Sequence, residues 1–409
     1  MKVLSVGNLY PPHYAGGYEL MWRTWVEHAR AAGHVVRVLC SDERTGATGA
    51  DDPDVHRELR RYWRATGSPQ LGLRERFALE RSNAAVVRRH LDELAPDVVV
   101  WWGMGGMALS SIEQVRRAGF PAVAFVMDDW LTYQPPGDAW LRLFARRPRL
   151  GRVVDRLTGI PARVDYADAA TYVFVSETLR RQGPPLPRTA VEPSGVADDF
   201  IDPRPPQPWG WRLLSVGRVD PRKGIATAIE ALAELPEATL TVAGTGPQQL
   251  LKDLAALAER LGVSARVTFA GAVARADLPA LYERHDAVVF PVVWEEPWGL
   301  VPLEAMALGR PVTASGRGGS SEYLRDGENC LLHVPGDAAS LAATVRRLAN
   351  DEALRGRLLA GGLEAARHYT ESRFNRAALQ IVTSCAGERL AAAGGEKRLP
   401  PIRAPRAGS

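Results

Sequence analysis

The feature that most constrains the fold is an alternation that runs, stops and runs again. Short apolar stretches at "KVLSVG" (2–7), "HVVRVLC" (34–40), "DVVVWWG" (97–103), "PAVAFVMD" (121–128) and "ATYVFVS" (170–176) are separated mostly by helical patterning. Strands that are apolar along nearly their whole length are buried on both faces, and between helices they build a parallel sheet covered on both sides. The rhythm ends in the proline-rich "GPPLPRTAVEPSGVADDFIDPRPPQP" (183–208). It resumes at "WRLLSVG" (211–217), "ATLTVAG" (238–244), "RVTFAG" (266–271), "DAVVFP" (286–291), "RPVTAS" (310–315) and "NCLLHV" (329–334). Proline cannot donate to a sheet and stiffens a connection, so the interruption reads as a linker.

The expected class is α/β, with two Rossmann-like, doubly wound parallel-sheet domains facing a cleft. The chain's 409 residues suit two cores of about 150–200 residues better than one. The expected boundaries are a first domain over 1–190, the linker over 191–208 and a second domain over 209–370. A C-terminal helix over 371–388 is expected to return to the first domain, followed by a disordered basic tail over 389–409. The first helix, from Gly17 to about Ala32, sets Leu20, Met21, Trp25 and Ala29 along one side and stops at Gly33. Helices in the second domain are expected over 223–234, 247–261, 276–284, 302–308 and 337–348. Residues 41–80 are polar and charged, then aromatic, and read as an exposed insertion rather than core. Tyr62 and Trp63 in it fit a packed lid, with stacking on a ligand as the other reading.

With 46% hydrophobic and 24% charged residues, disorder is excluded as the main state. A net charge of +4 permits an anionic substrate or peripheral membrane contact without requiring either, and nothing points to nucleic acid. Cys40, Cys330 and Cys385 are scattered, with no CxxC spacing, which suits a reducing compartment and no structural zinc. The apolar run at the start is too short for a signal sequence or membrane span, so the expectation is a cytoplasmic protein.

Open parallel sheets bind ligands at the carboxyl ends of their strands, and four stretches sit there. In "GNLYPPHYAGGYE" (7–19), Gly16 and Gly17 remove Cβ atoms where free N–H groups at a helix start can meet a phosphate. A Gly-rich helix cap explains them equally well, and the pattern is not GxGxxG. In "SVGRVDPRKGI" (215–225), Arg218 and Lys223 flank a proline turn and can converge on a diphosphate, although loop cations are often only solvated. In "VAGTGP" (242–247), Gly244 and Gly246 let a flat group approach the backbone. In "EEPWGLVPLEAMALG" (295–309), Pro302 fits a first helical turn and Glu304 the positive helix end, so a helix-start role alone explains Glu304. Glu296, beside Pro297 and Trp298 after an apolar strand, has no such structural reason. The two carboxylates together bracket a place for a polyhydroxylated ligand.

"EPWGLVPLEAMALGRPV" resembles the E-x7-E signature of retaining glycosyltransferases of the GT-B fold, family 4 in particular. "GRVDPRKG", "VAGTGP" and "GGSSEYLRDGENCLL" (318–332) match that family's other landmarks in order, so the resemblance spans the second domain. The "PP…GG" loop, "FVSE" (174–177) and "PSGVADDF" (193–200) extend it into the first. The resemblance implies a nucleotide-diphosphate sugar held mainly by the second domain. Arg218 and Lys223 then bind the diphosphate and Glu304 the ribose, and Glu296 lies near the transferred sugar. The backbone amides of Trp298, Gly299 and Leu300 support sugar and phosphate, with Gly16 and Gly17 closing on the phosphates. It further implies a retaining transfer of a hexose-type sugar with no metal and no cofactor. The donor is UDP-linked ahead of GDP-linked, and the acceptor is a hydroxyl of a small-molecule, oligosaccharide or lipid-linked compound.

One departure concerns Asp128, which stands in "VMDDW" where many members of the family carry His before an Asp; that Asp is here Asp129. Asp128 is counted among the catalytic candidates as an acceptor for a sugar hydroxyl or a cationic acceptor group, against a reading as one of two solvated acids. Ser194 stands where Asn is frequent, with little consequence expected. Two competing readings are a catalytically silent sugar-nucleotide-binding protein of the same fold, and a GT-A enzyme built on the DxD-like Asp52-Pro53-Asp54.

Overall fold

Seven parallel strands make the first sheet: β1 (Lys2–Val6), β2 (Val35–Ser41), β3 (Val55–Leu59), β4 (Val98–Trp101), β5 (Ala122–Val126), β6 (Thr171–Phe174) and β7 (Thr189–Val191). Their spatial order is β3-β2-β1-β4-β5-β6-β7, so the order reverses between β1 and β4, the point at which such sheets open a crevice at their carboxyl ends. Val3 stands opposite Val36 on one side and Val98 on the other. The second sheet contains β8 (Arg212–Val216), β9 (Thr239–Ala243), β10 (Val267–Gly271), β11 (Ala287–Phe290), β12 (Val312–Ala314) and β13 (Leu331–Leu332), in the order β10-β9-β8-β11-β12-β13. The structure is a computed structural model that describes residues 1–14, 16–45, 52–63, 70–205 and 207–392.

Each sheet belongs to its own compact unit. The first unit holds the chain to Val175, residues 179–192 and the last helix from Asn375; the second holds Ser176–Thr178 and Pro193–Phe374. The expected basic tail over 389–409 lies outside the described residues from 393 onward, and the side chains of 388–392 lie outside them as well.

In the first unit, helix α1 (Gly17–Ala31) follows β1 and buries Met21, Trp22, Trp25, Val26 and Ala29. Trp22 stacks on Trp102 with ring centroids 6.1 Å apart and donates its indole N–H to Ser5 Oγ at 2.7 Å. Leu20, expected on the buried side, is only partly covered, because Trp22 takes the stripe facing β1 and β4. In the second unit, Leu213, Leu240, Val242 and Val289 on the strands and Ile229, Leu254, Val345 and Leu348 on the helices close one core.

The stretch 41–80 is not the exposed insertion expected from its composition. It contributes edge strand β3, which pairs with β2, and the start of helix α2 (Leu73–Leu94). Tyr62 is buried in a cluster with Leu79, Ala108, Trp140 and Phe144, while Trp63 packs beside it. An edge strand needs few apolar residues, and "VHREL" carries them only at its two ends, Val55 and Leu59, so no periodic signal marks it. β7 was also unexpected, for the related reason that it is three half-buried residues inside a proline-rich stretch. Asp52 and Asp54, the ends of the DxD-like triplet, precede β3: Asp52 pairs with Arg30 and accepts the Asp54 N–H at 2.9 Å, which makes the triplet a salt-bridged turn.

Candidate functional site

In the second unit the loops that leave the carboxyl ends of β8, β9 and β11 are packed backbone on backbone. Gly244 takes a φ of +150°, and a Cβ there would overlap the carbonyl oxygen of Gly217; a Cβ on Gly246 would overlap that of Val219. Val219 N–H donates to Thr245 O at 2.7 Å, and Val293 N–H to Arg222 O at 2.9 Å. The glycines of "VAGTGP" are therefore required first by loop packing.

Those loops bring the candidate charges together. Lys223 Nζ lies 2.7 Å from Glu296 Oε2, and Trp294 Nε1 donates to the same oxygen at 2.8 Å. Glu296 is 9% exposed, so these partners supply the satisfaction that the sequence did not reveal. The Arg222 guanidinium covers the Trp294 ring at 4.2 Å from its centroid and pairs with Asp220, whose carboxyl is held down to about 2 chiefly by that hydrogen bond. Arg218 is exposed, and its side chain has no hydrogen-bond or ion-pair partner among the described residues. Arg317 holds the neighbouring Glu295, and Gly319 N–H donates to Glu296 O at 2.7 Å. Gly318 and Gly319 lie so close to the backbone of 295–297 that no Cβ fits at either.

The helix Leu300–Ala307 begins at a left-handed Gly299 with φ +85°. It starts two residues earlier than expected, so Pro302 is its third residue and Glu304 its fifth. Glu304 is therefore not a helix-start carboxylate, and the helix-dipole explanation for it fails. It is nearly buried, Tyr282 donates its hydroxyl to Oε2 at 2.9 Å, and burial raises its pKa. Its Oε1 has no hydrogen-bond partner among the described residues, and neither do the backbone N–H groups of Trp298, Gly299 and Leu300. The Trp298 ring turns into an aromatic cluster, 5.0 Å from Tyr323 and 5.2 Å from Tyr369. The site thus presents open donors and one open acceptor around a fixed carboxylate.

In the first unit, Gly17 opens α1, and a Cβ on it would meet nothing within 4 Å. The Gly16 N–H is not free as expected, since Glu19 Oε2 accepts it at 3.0 Å in a capping box. Asp128 follows β5; its Oδ1 accepts the Trp130 N–H at 3.2 Å and its Oδ2 the Tyr133 hydroxyl at 2.9 Å. Burial raises the Tyr133 hydroxyl well above its ordinary range. Tyr133 lies 6.5 Å from Trp63, and the Arg61 guanidinium sits 5.2 Å over Trp63 while donating to Gly105 O at 2.9 Å and pairing with Glu43. Asp128 is therefore part of a hydrogen-bonded, aromatic-lined surface at the carboxyl ends of β2 to β5, not a solvated acid.

Sequence reasoning gave no role to Trp294, just past the strand expected over 286–291, or to Tyr282, within the helix expected over 276–284; neither spacing points at the carboxylate it holds. Glu322, within a quoted landmark but given no role, accepts the Thr178 N–H at 2.7 Å and its hydroxyl at 2.8 Å. No helix among the described residues is long and apolar enough to cross a membrane.

The family model described as "Glycosyl transferases group 1" matches residues 204–362. A glycogen synthase of Mycobacterium tuberculosis is 38% identical over 98% of this chain and 97% of its own. A phosphatidyl-myo-inositol mannosyltransferase of Mycobacterium leprae is 35% identical over 48% of this chain and 54% of its own. Among solved structures, a sucrose-phosphate synthase from Thermosynechococcus elongatus superposes with a TM-score of 0.72 at 21% identity, covering 96% of this chain and all of that one. HepE of Anabaena, solved with UDP and glucose, superposes with a TM-score of 0.67 at 22% identity over 94% of this chain and all of its own.

Proposed function

The chain belongs to the group 1 glycosyltransferases and has their two-domain GT-B fold, and from that premise we propose that it transfers a hexose-type sugar from a nucleotide-diphosphate donor to a hydroxyl, with retention of configuration and without a metal. The observation that carries the reading is the arrangement around Glu296. A carboxylate fixed by Lys223 and Trp294 stands at the start of a loop whose next N–H groups are open, and Glu304 follows with one oxygen open. A sugar nucleotide offers hydroxyls to the acceptors and phosphate oxygens to the donors.

Departure of the nucleoside diphosphate builds negative charge on the leaving oxygens. Lys223 has three donors, so its bond to Glu296 leaves others for a phosphate, and exposed Arg218 supplies a second cation. Cations and aligned N–H groups stabilise that charge in the transition state, the work a divalent ion does elsewhere. The acceptor oxygen bonds to the anomeric carbon on the face that the phosphate leaves. The anomeric carbon–oxygen bond breaks, and the acceptor proton passes to the departing phosphate. Glu304 takes the ribose hydroxyls, Glu296 orients the sugar, and Gly17 leaves room for phosphate at the start of α1. Asp128, on its own unit, orients a polar group of the acceptor. These assignments follow the E-x7-E reading within family 4.

UDP is taken ahead of GDP as the donor nucleotide, in keeping with the fold-level likeness to a protein solved with UDP. The whole-length likeness to a protein named glycogen synthase makes a glucan the first acceptor to try. The test is a panel of UDP-, GDP- and ADP-sugars scored for nucleoside-diphosphate release in EDTA, with the product anomer read by NMR. Release in EDTA with retained configuration is expected. Donor binding without turnover across the panel would make this a silent sugar-nucleotide-binding protein, and inversion, or a loss of activity in EDTA that excess magnesium alone restores, would overturn the mechanism.

A further inference from the structure

One group of metal-ligating side chains lies away from the loops described above. His56 and Glu58 are two residues apart on β3, so both project from one face of the sheet's edge strand. α2 packs against that strand and adds His90, which is 1% exposed. His56 Nδ1 stands 3.5 Å from Glu58 Oε1, and His90 Nε2 stands 3.6 Å from the same oxygen. One ligand atom from each residue lies within 4.8 Å of the others. A four-coordinate zinc ion with bonds of about 2.1 Å separates neighbouring ligand atoms by roughly 3.4 Å, so two of the three edges already have the required length.

The geometry points to a site for a divalent transition-metal ion of the zinc class, bound by His56, Glu58 and His90 with solvent as the fourth ligand. Two imidazoles and one carboxylate suit zinc, cobalt or iron over magnesium and calcium, which take oxygen ligands. The ion joins the edge strand to the helix that covers it, a clamp where β3 has only β2 as a strand partner among the described residues. Its role is structural: the ligands stand on the body of β3 and near the C-terminal end of α2, whereas the loops assigned to substrates leave the carboxyl ends of the strands.

Two guanidinium groups compete for the ligands. Arg89 pairs with Glu58 and lies 3.3 Å from His90 Nε2; Arg37 Nη1 lies 3.3 Å from His90 Nδ1. Binding requires both to withdraw, and an exposed carboxylate is in place to receive them. Glu93 is already 3.1 Å from Arg37 and 3.8 Å from Arg89. With Arg37 turned to Glu93, Nδ1 of His90 carries the ring proton and Nε2 is free to ligate.

The test uses the full chain, stripped with chelator and titrated with cobalt chloride as a spectroscopic probe, then with zinc chloride. One saturating equivalent of cobalt is expected, with the visible bands of a four- or five-coordinate ion that zinc abolishes. Both His56→Ala and Glu58→Gln remove these bands while near-ultraviolet circular dichroism shows the fold retained, and Arg89→Ala tightens binding. The proposal is overturned by the absence of a saturable band, by bands that survive in both variants, or by weaker binding in Arg89→Ala.

Discussion

Lys223 Nζ and Glu296 Oε2 are 2.7 Å apart, which makes one unit of a cation from the loop after β8 and a carboxylate from the loop after β11. Removing either leaves the other short of its partner at a site that is largely shielded from water. Lys223→Ala should lower kcat/KM by roughly 10²–10³, about 3–4 kcal/mol of transition-state stabilisation. Because the two act together, Lys223→Ala combined with Glu296→Ala should cost less than the two single losses added. Initial rates on the four proteins of that cycle decide, and strictly additive losses would show that the pair does not act as one.

Glu304 should report on the donor rather than on the chemical step. Glu304→Gln keeps the Tyr282 hydrogen bond but turns one acceptor into a donor, and is expected to weaken donor binding about tenfold with kcat changed less. Tyr282→Phe should produce a smaller effect in the same direction and cost about 1 kcal/mol of stability. Wild-type donor affinity in Glu304→Gln, measured by calorimetry, would leave Glu304 a purely structural buried acid.

Two glycines of the candidate site should separate by what their substitution harms. Gly17→Ala meets no protein atom within 4 Å and should leave thermal stability within about 0.5 kcal/mol while lowering turnover. Gly246→Ala drives a methyl into the Val219 carbonyl and should cost about 1–3 kcal/mol of stability. Equal turnover in Gly17→Ala and the parent would remove that glycine from the phosphate site.

A buried acid in the first unit makes stability depend on pH. Tyr62 and Ser110 donate to Glu80, whose pKa burial raises well above the ordinary carboxyl value. The folded state then holds a proton that the unfolded state has released. The contribution is fully present below the unfolded pKa and is lost as pH rises through the raised folded one. Stability should therefore fall between about pH 5 and 8, and Glu80→Gln should flatten that slope in urea titrations. Asp138, also raised by burial, keeps part of the slope in the variant. An unchanged slope would mean that Glu80 is not the group responsible.

The central strands were legible because strands such as β4 and β5 are buried on both faces and so are apolar at every position. Edge strand β3 was not, since only Val55 and Leu59 face apolar surroundings and the residues between them are polar. In the candidate site the residue types were legible and their pairings were not. Lys223 and Glu296 are 73 residues apart, and nothing beside Trp294 in the sequence marks its indole as a partner of Glu296. The start of the helix carrying Glu304 was misplaced because proline marks a first turn without fixing which of its residues it occupies, and the left-handed Gly299 set the start earlier. The free Gly16 N–H failed because its partner is a side chain three residues on: nothing in the spacing shows that Glu19 reaches back to Gly16.

The glycine contacts that lock the loops of the second unit have an evolutionary consequence. Where Gly244 faces the Gly217 carbonyl, Gly246 that of Val219 and Gly318 the backbone of Glu296, position is fixed by main-chain atoms, which mutation does not alter. Side chains on the same loops are then free to drift without moving the platform that carries them. A descendant of this chain can acquire a new sugar or nucleobase preference by exchanging side chains one at a time, each trial made on an unchanged scaffold.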